Sequence, residues 1–220
     1  MIPLGDASRR PVNFPIVTVG IITVNVIVFI AEVAGGADFV TRWSMIPADV
    51  LAGKHLTTIF TSMFMHASWS HIIGNMVFLW AFGPEIEDAM GPVRYLVFYL
   101  VGGVAAMLAQ LAGDPHSTVP NLGASGAIAA VMGGFLVTYP RDRIRTLLFF
   151  GWFVETAFIP AALMIVVWFL LQLVSLGVVA EVESGGVAYL AHVGGTVYGA
   201  ATARLFERRR QIAEPPEELV

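Results

Sequence analysis

Long apolar runs separated by short polar ones organise this chain. A helix that crosses a bilayer needs roughly 20 mostly apolar residues. Six stretches come near that length: 16–34, 70–86, 95–112, 122–139, 157–180 and 187–206. The second is the weakest, because it opens on His71 and Asn75 and its purely apolar part is short. The fourth is rich in glycine and alanine. The connection 35–69 carries Trp43, Met45, Leu51, Ile59, Phe60 and Met63 with almost no lysine or arginine. That pattern predicts short amphipathic helices at, or partly within, the outer membrane interface. Pro140-Arg141-Asp142-Arg143 reads as an ordinary turn after the fourth stretch. The tail 207–220 is charged and contains proline, which predicts a flexible segment.

Composition points the same way. Of 220 residues, 57% are hydrophobic and 13% charged, against about 25% charged in a soluble domain. The expected fold class is an all-α membrane protein, a bundle of six transmembrane helices with a long, partly membrane-embedded first loop. The expected division is a short N-terminal segment (1–13), the six-helix domain (14–206) and the tail (207–220). The first apolar run has no clear cleavage site after it, so it is expected to stay as an anchor. Cysteine is absent, which excludes disulfides, thiolate metal sites and a cysteine nucleophile.

The placement of charge orients the spans. Arg9 and Arg10 precede the first, Arg94 lies between the second and third, and Arg141, Arg143 and Arg145 lie between the fourth and fifth. Arg204, Arg208, Arg209 and Arg210 follow the sixth, while only Arg42 and Lys54 fall on the other side. The positive-inside rule then puts both termini in the cytoplasm. It also supports the weak second span, since removing it would move Arg94 and the later clusters across the membrane. The expected location is a bacterial-type plasma membrane.

Against this apolar background a few polar residues stand out. An ionisable side chain at membrane depth is costly unless it faces the protein interior or a wet cavity, so it is a functional candidate by default. Ser125 opens the fourth span within Gly123-Ala124-Ser125-Gly126, and His192 lies a few residues into the sixth, at matching depth. A helix N-terminus offers unpaired N–H groups and a positive dipole end, both suited to a developing oxyanion. Gly195 and Gly199 repeat at four-residue spacing, as do Gly126, Ala130 and Gly134. Small-residue ridges of this kind allow close helix contact, which would bring Ser125 to His192. A neutral imidazole could then accept the serine proton. The plainer alternatives are a packing surface and a structural histidine. His71 and Asn75 share one helix face and could donate hydrogen bonds to an oxyanion together with the Ser125 N–H. A metal site is the rival for this cluster, but no carboxylate lies near, and no metal or other cofactor is expected. His66 sits just before the helix and is expected to brace the loop.

Together these pieces resemble the rhomboid intramembrane serine proteases. The matching pattern is His66-x4-His71-x3-Asn75, then Gly83-x3-Glu87-x3-Gly91, then Gly123-Ala124-Ser125-Gly126, then Ala191-His192-x-Gly194-Gly195. Each motif alone is weak; the four in order on successive spans are specific. The resemblance implies Ser125 as nucleophile and His192 as general base, with His71, Asn75 and the Ser125 N–H stabilising the oxyanion. It implies structural roles near the site for His66, Gly123, Gly126 and Glu87, the last as the carboxylate ordering the loop beside it. It further implies a short, central fourth span, with the fifth span and the loop before the sixth gating access. The implied substrates are single-span membrane proteins cut near the outer face, with the lipid bilayer as the other partner and no nucleic acid. Some members stack the catalytic histidine on a tyrosine one turn after the serine; here that position is Ala129. Some carry Trp-Arg where this chain has Thr57 and Thr58. A non-catalytic relative would lack the serine or the histidine. A transporter would carry a polar chain to the cytoplasmic side, and none is evident.

Overall fold

The N-terminus of the first long helix is held by a carboxylate from the second. Helix α1 (Ile16–Trp43) presents the Val17 and Thr18 N–H groups to Glu87, at 2.9 and 2.8 Å, and the Thr18 hydroxyl donates to the same carboxylate at 2.8 Å. Unpaired N–H groups and the positive dipole end favour a negative charge there. The computed structural model describes residues 1–179 and 189–208. Helix α1 kinks at Gly36, where φ is +62°, and runs on to Trp43, past the expected end at residue 34. The following connection is correspondingly shorter than the expected 35–69. It folds into α2 (Pro47–Leu51), α3 (Thr58–Thr61) and a 3-10 turn (Ser62–Phe64), and it buries Met45, Met63 and Met65 completely or nearly so.

Helix α4 (Trp69–Met90) is capped by Ser68, whose hydroxyl accepts the His71 N–H at 3.2 Å. It ends at Gly91, with φ +78°, and Pro92 opens α5 (Pro92–Gly113), where a missing N–H costs nothing. Helix α6 (Ser125–Thr138) is short, and every residue from Gly126 to Phe135 is buried. Helices α7 (Ala161–Val179) and α8 (Tyr189–Phe206) complete the bundle. Among the described residues, α1 and α5 are long and apolar enough to cross a membrane by length and composition. Helix α6 and the stretch Ala161–Leu171 are apolar but shorter.

One part of the expected architecture is corrected. The fold is mostly helical but not all-α: β1 (Ile2–Asp6), β2 (Arg143–Phe150) and β3 (Phe153–Pro160) form an antiparallel sheet in the order β1-β2-β3. The segment read as a turn and as the start of the fifth span is a hairpin, turning at Gly151 with φ +60°. Buried Ile144 and Thr146 alternate with exposed Arg143 and Arg145, the period of two expected of a strand. The apolar run Leu147–Phe150 that follows hides this alternation at sequence level. The N-terminal segment is tied down in the same sheet, with Ile2 opposite Leu147 and Asp6 opposite Ile144. Arg9 clamps the corner. Its guanidinium donates to both oxygens of Asp142 and lies 3.8 Å from the centre of the Tyr139 ring. An apolar cavity of about 560 Å³ lies between β1, α1 and α4, bordered by Ile2, Val26, Phe29, Ile73 and Trp80.

The loop 181–186, expected to gate access, and the tail from 209 lie outside the described residues.

Candidate active site

Helices α6 and α8 meet without side chains between them. A Cβ at Gly195 would stand 2.1 Å from the Gly126 carbonyl oxygen, and one at Gly199 would stand 1.9 Å from that of Ala130. One turn further on, a Cβ at Gly134 would meet Ala203 at 3.3 Å. The two small-residue ridges expected from the sequence are therefore in contact. Only glycine permits so close an approach, because any side chain would have to displace backbone.

That contact brings together two residues 67 positions apart in the chain. His192 Nε2 lies 2.7 Å from Ser125 Oγ. His192 is 8% exposed and Ser125 half-buried. Ser125 is the first residue of α6, and the first helical bond runs from the Ile128 N–H to the Ala124 carbonyl at 3.0 Å. The N–H groups of the opening turn precede that bond and have no acceptor within the helix.

The loop entering α6 shapes the approach. Gly123 has φ +141°, a conformation side chains disfavour, and its N–H donates to the Ser62 carbonyl at 2.9 Å. A Cβ there would stand 3.0 Å from His71 Cε1 and Nε2 and 3.4 Å from Ser125 Oγ. Glycine at 123 thus lets the His71 imidazole settle against the loop beside the serine. Asn75, one turn below His71, is 9% exposed, and its amide nitrogen is buried with no hydrogen-bond partner among the described residues. A buried donor left without an acceptor costs stability.

His66 is 1% exposed and stands edge-on to His71, ring centres 5.1 Å apart. Its backbone N–H donates to Glu32 at 2.9 Å. Burial, and the neighbouring His71, hold the His66 imidazole well below its ordinary pKa, at about 3. Glu32, 5% exposed on α1, is a residue the sequence reading passed over. The signal was available: a carboxylate inside an apolar span.

Glu87, expected as a structural residue near the site, lies well along α4 from Asn75. It lies 12 residues beyond Asn75 on α4, roughly 18 Å along the helix at 1.5 Å per residue. Its carboxylate docks the start of α1. The pattern Gly83-x3-Glu87-x3-Gly91 has a local reason. A Cβ at Gly83 would come within 2.8 Å of the Tyr95 hydroxyl and 3.0 Å of Thr18. Gly83 admits Thr18, Glu87 binds it, and Gly91 turns the chain into α5.

Two aromatic rings flank His192. Trp168 on α7 lies 5.4 Å away centre to centre, tilted by 44°, and Tyr189 on α8 stands edge-on at 6.4 Å. No group of His, Asp or Glu able to hold a metal ion occurs among the described residues.

A family model, the Rhomboid domain, matches residues 53–209. The chain is 30% identical to RHOMBOID-like protein 12, mitochondrial, of Arabidopsis thaliana over 58% of its length and 43% of that protein's. It is 26% identical to Rhomboid protein 1, mitochondrial, of Saccharomyces cerevisiae over 79% of its length and 49% of that protein's. It is 26% identical to Rhomboid protease GluP of Bacillus subtilis over 52% of its length and 23% of that protein's. The chain thus spans less than half the length of these relatives. Two of the three are named mitochondrial, so the expected bacterial-type plasma membrane gains no support from them. With the family model covering most of its length, the chain belongs to the rhomboid family of integral membrane proteins.

Proposed function

We propose that the chain is an intramembrane serine endopeptidase that hydrolyses peptide bonds of transmembrane protein substrates with Ser125 and His192. The observation that carries this reading is the 2.7 Å hydrogen bond between His192 Nε2 and Ser125 Oγ.

Ser125 Oγ attacks the scissile carbonyl while His192 Nε2 takes its proton. The oxyanion is met by the Ser125 N–H at the start of α6, by the Asn75 amide and by His71. Collapse returns the proton from His192 to the leaving amine and leaves an ester on Ser125. Water, deprotonated by the same imidazole, then releases the acid and restores the serine. Such preorganised donors typically contribute 10²–10³-fold each. The serine and histidine act as a dyad.

In this reading α1, α4, α5, α6, α7 and α8 are the six spans, and both termini are cytoplasmic. Helix α6 is roughly 21 Å long at 1.5 Å per residue, against about 30 Å of hydrocarbon, so Ser125 lies below the outer surface. The connection between α1 and α4 rests in the outer interface, and single-span proteins are cut near that face.

The test is cleavage of a single-span reporter by the purified chain in liposomes, beside Ser125→Ala. A product formed by the wild type alone, with its mass giving the cut site, is the expected result. Equal product from Ser125→Ala would refute the reading.

A further inference from the structure

We propose that Trp168 is the positioning residue for His192, holding the imidazole in line with Ser125 from a neighbouring helix. The inference rests on the reading of Ser125 and His192 as the reacting pair.

An imidazole carried on two rotatable bonds needs a surface to fix its plane, and a small misplacement of a catalytic group is costly. Helix α6 supplies no ring beside His192, because the position one turn after Ser125 is Ala129. Gly126 is in backbone contact with Gly195, and the Ala129 side chain already lies 3.2 Å from where a Cβ at Gly195 would stand.

Helix α7 supplies the ring. Ala161, Met164 and Ile165 are buried against the bundle, while Leu163, Val166, Val167, Leu170 and Leu171 are exposed. Trp168 follows Met164 and Ile165 by four and three positions, so it continues the buried face one turn further along. There its indole comes to 5.4 Å from the imidazole, tilted by 44°. That distance lies within the range for attractive ring pairs. Tyr189, three residues before His192 on the same helix, closes the edge at 6.4 Å. The indole thus limits rotation of the imidazole while Nε2 stays on Ser125.

The experiment measures how fast a fluorophosphonate labels Ser125 in wild type, Trp168→Phe, Trp168→Leu and Trp168→Met, in liposomes. Reporter kcat and KM and thermal transitions are recorded for each. The proposal expects labelling and kcat about 10- to 100-fold lower for the Leu and Met variants, with KM unchanged. It expects Trp168→Phe, which keeps a ring, to recover most of the rate. Either aliphatic variant reacting at the wild-type rate would overturn the proposal, and so would a Phe variant as slow as a folded aliphatic one. Wild type that is not labelled at all would overturn the dyad reading itself, which is a distinguishable failure.

Discussion

Gly195 on α8 lies against the carbonyl of Gly126 on α6, so close that an added Cβ would stand 2.1 Å from the oxygen. The Ser125–His192 hydrogen bond depends on this contact, because His192 sits one turn before Gly195 and Ser125 one residue before Gly126. Gly195→Ala must move backbone. It should cost about 1–3 kcal/mol of stability, the usual range for overpacking. Activity per folded molecule should fall by about 100-fold, since a shift near 1 Å at the reacting groups has that effect. Thermal unfolding and reporter turnover, measured together, check both parts.

Asn75 offers a sharper separation of stability from function. Its amide nitrogen is buried without a partner among the described residues. Asn75→Ala should lower kcat by about 10²–10³-fold, the cost of one oxyanion donor. It should leave the melting temperature equal or higher, because an unmatched buried donor is removed. A variant that melts lower and keeps its kcat would contradict the assignment.

Glu87 should show the reverse. Three donors, from Val17 and Thr18, converge on its carboxylate. Glu87→Ala leaves them without that acceptor and should destabilise by about 2–4 kcal/mol, since bonds to a charged group contribute roughly 1.5–3 kcal/mol. Turnover per folded molecule should stay near wild type, because the residue lies roughly 18 Å along α4 from Asn75. Activity normalised to the folded fraction distinguishes this from a role at the site.

The sheet corner carries a pH dependence. Burial, together with the Asp142 carboxylate beside it, raises the Asp6 carboxyl from 3.8 to about 6. Arg9, by contrast, holds Asp142 below its ordinary range. Between those two Asp6 values the folded chain binds more protons than the unfolded one, so Asp6 makes stability fall as pH rises through the window. Asp6→Asn, which stays neutral and can donate to Asp142, should melt higher than wild type at pH 7.5. The gain should shrink towards pH 4.5. A gain independent of pH would show that the charge is not responsible.

Much of the site is legible in the sequence because its residues break a strong pattern. A serine and a histidine within apolar stretches are conspicuous, and four-residue spacing of small residues tells which helices can touch. The ridges Gly126-Ala130-Gly134 and Gly195-Gly199 predict the α6–α8 contact from periodicity alone, and the structure has that contact. The sheet was hidden for the opposite reason. Arg143 to Thr146 alternates, but the following Leu147–Phe150 and the apolar β3 merge with α7 into one long hydrophobic run. Hydropathy cannot tell an apolar hairpin from the start of a span. Trp168 was illegible because its meaning depends on which face α7 turns to α8, and one sequence does not fix that rotation. Glu32 could have been found, since a buried carboxylate in the first span has few reasons to exist.

The central claim is that His192 activates Ser125, and the most direct measurement is covalent labelling. Wild type and His192→Ala in liposomes are exposed to a fluorophosphonate, and the adduct is located by peptide mass. The account predicts a single adduct on Ser125 in wild type and its near absence in His192→Ala at unchanged thermal stability. Labelling of Ser125 at equal rates in both proteins would contradict it, as would an adduct on another residue.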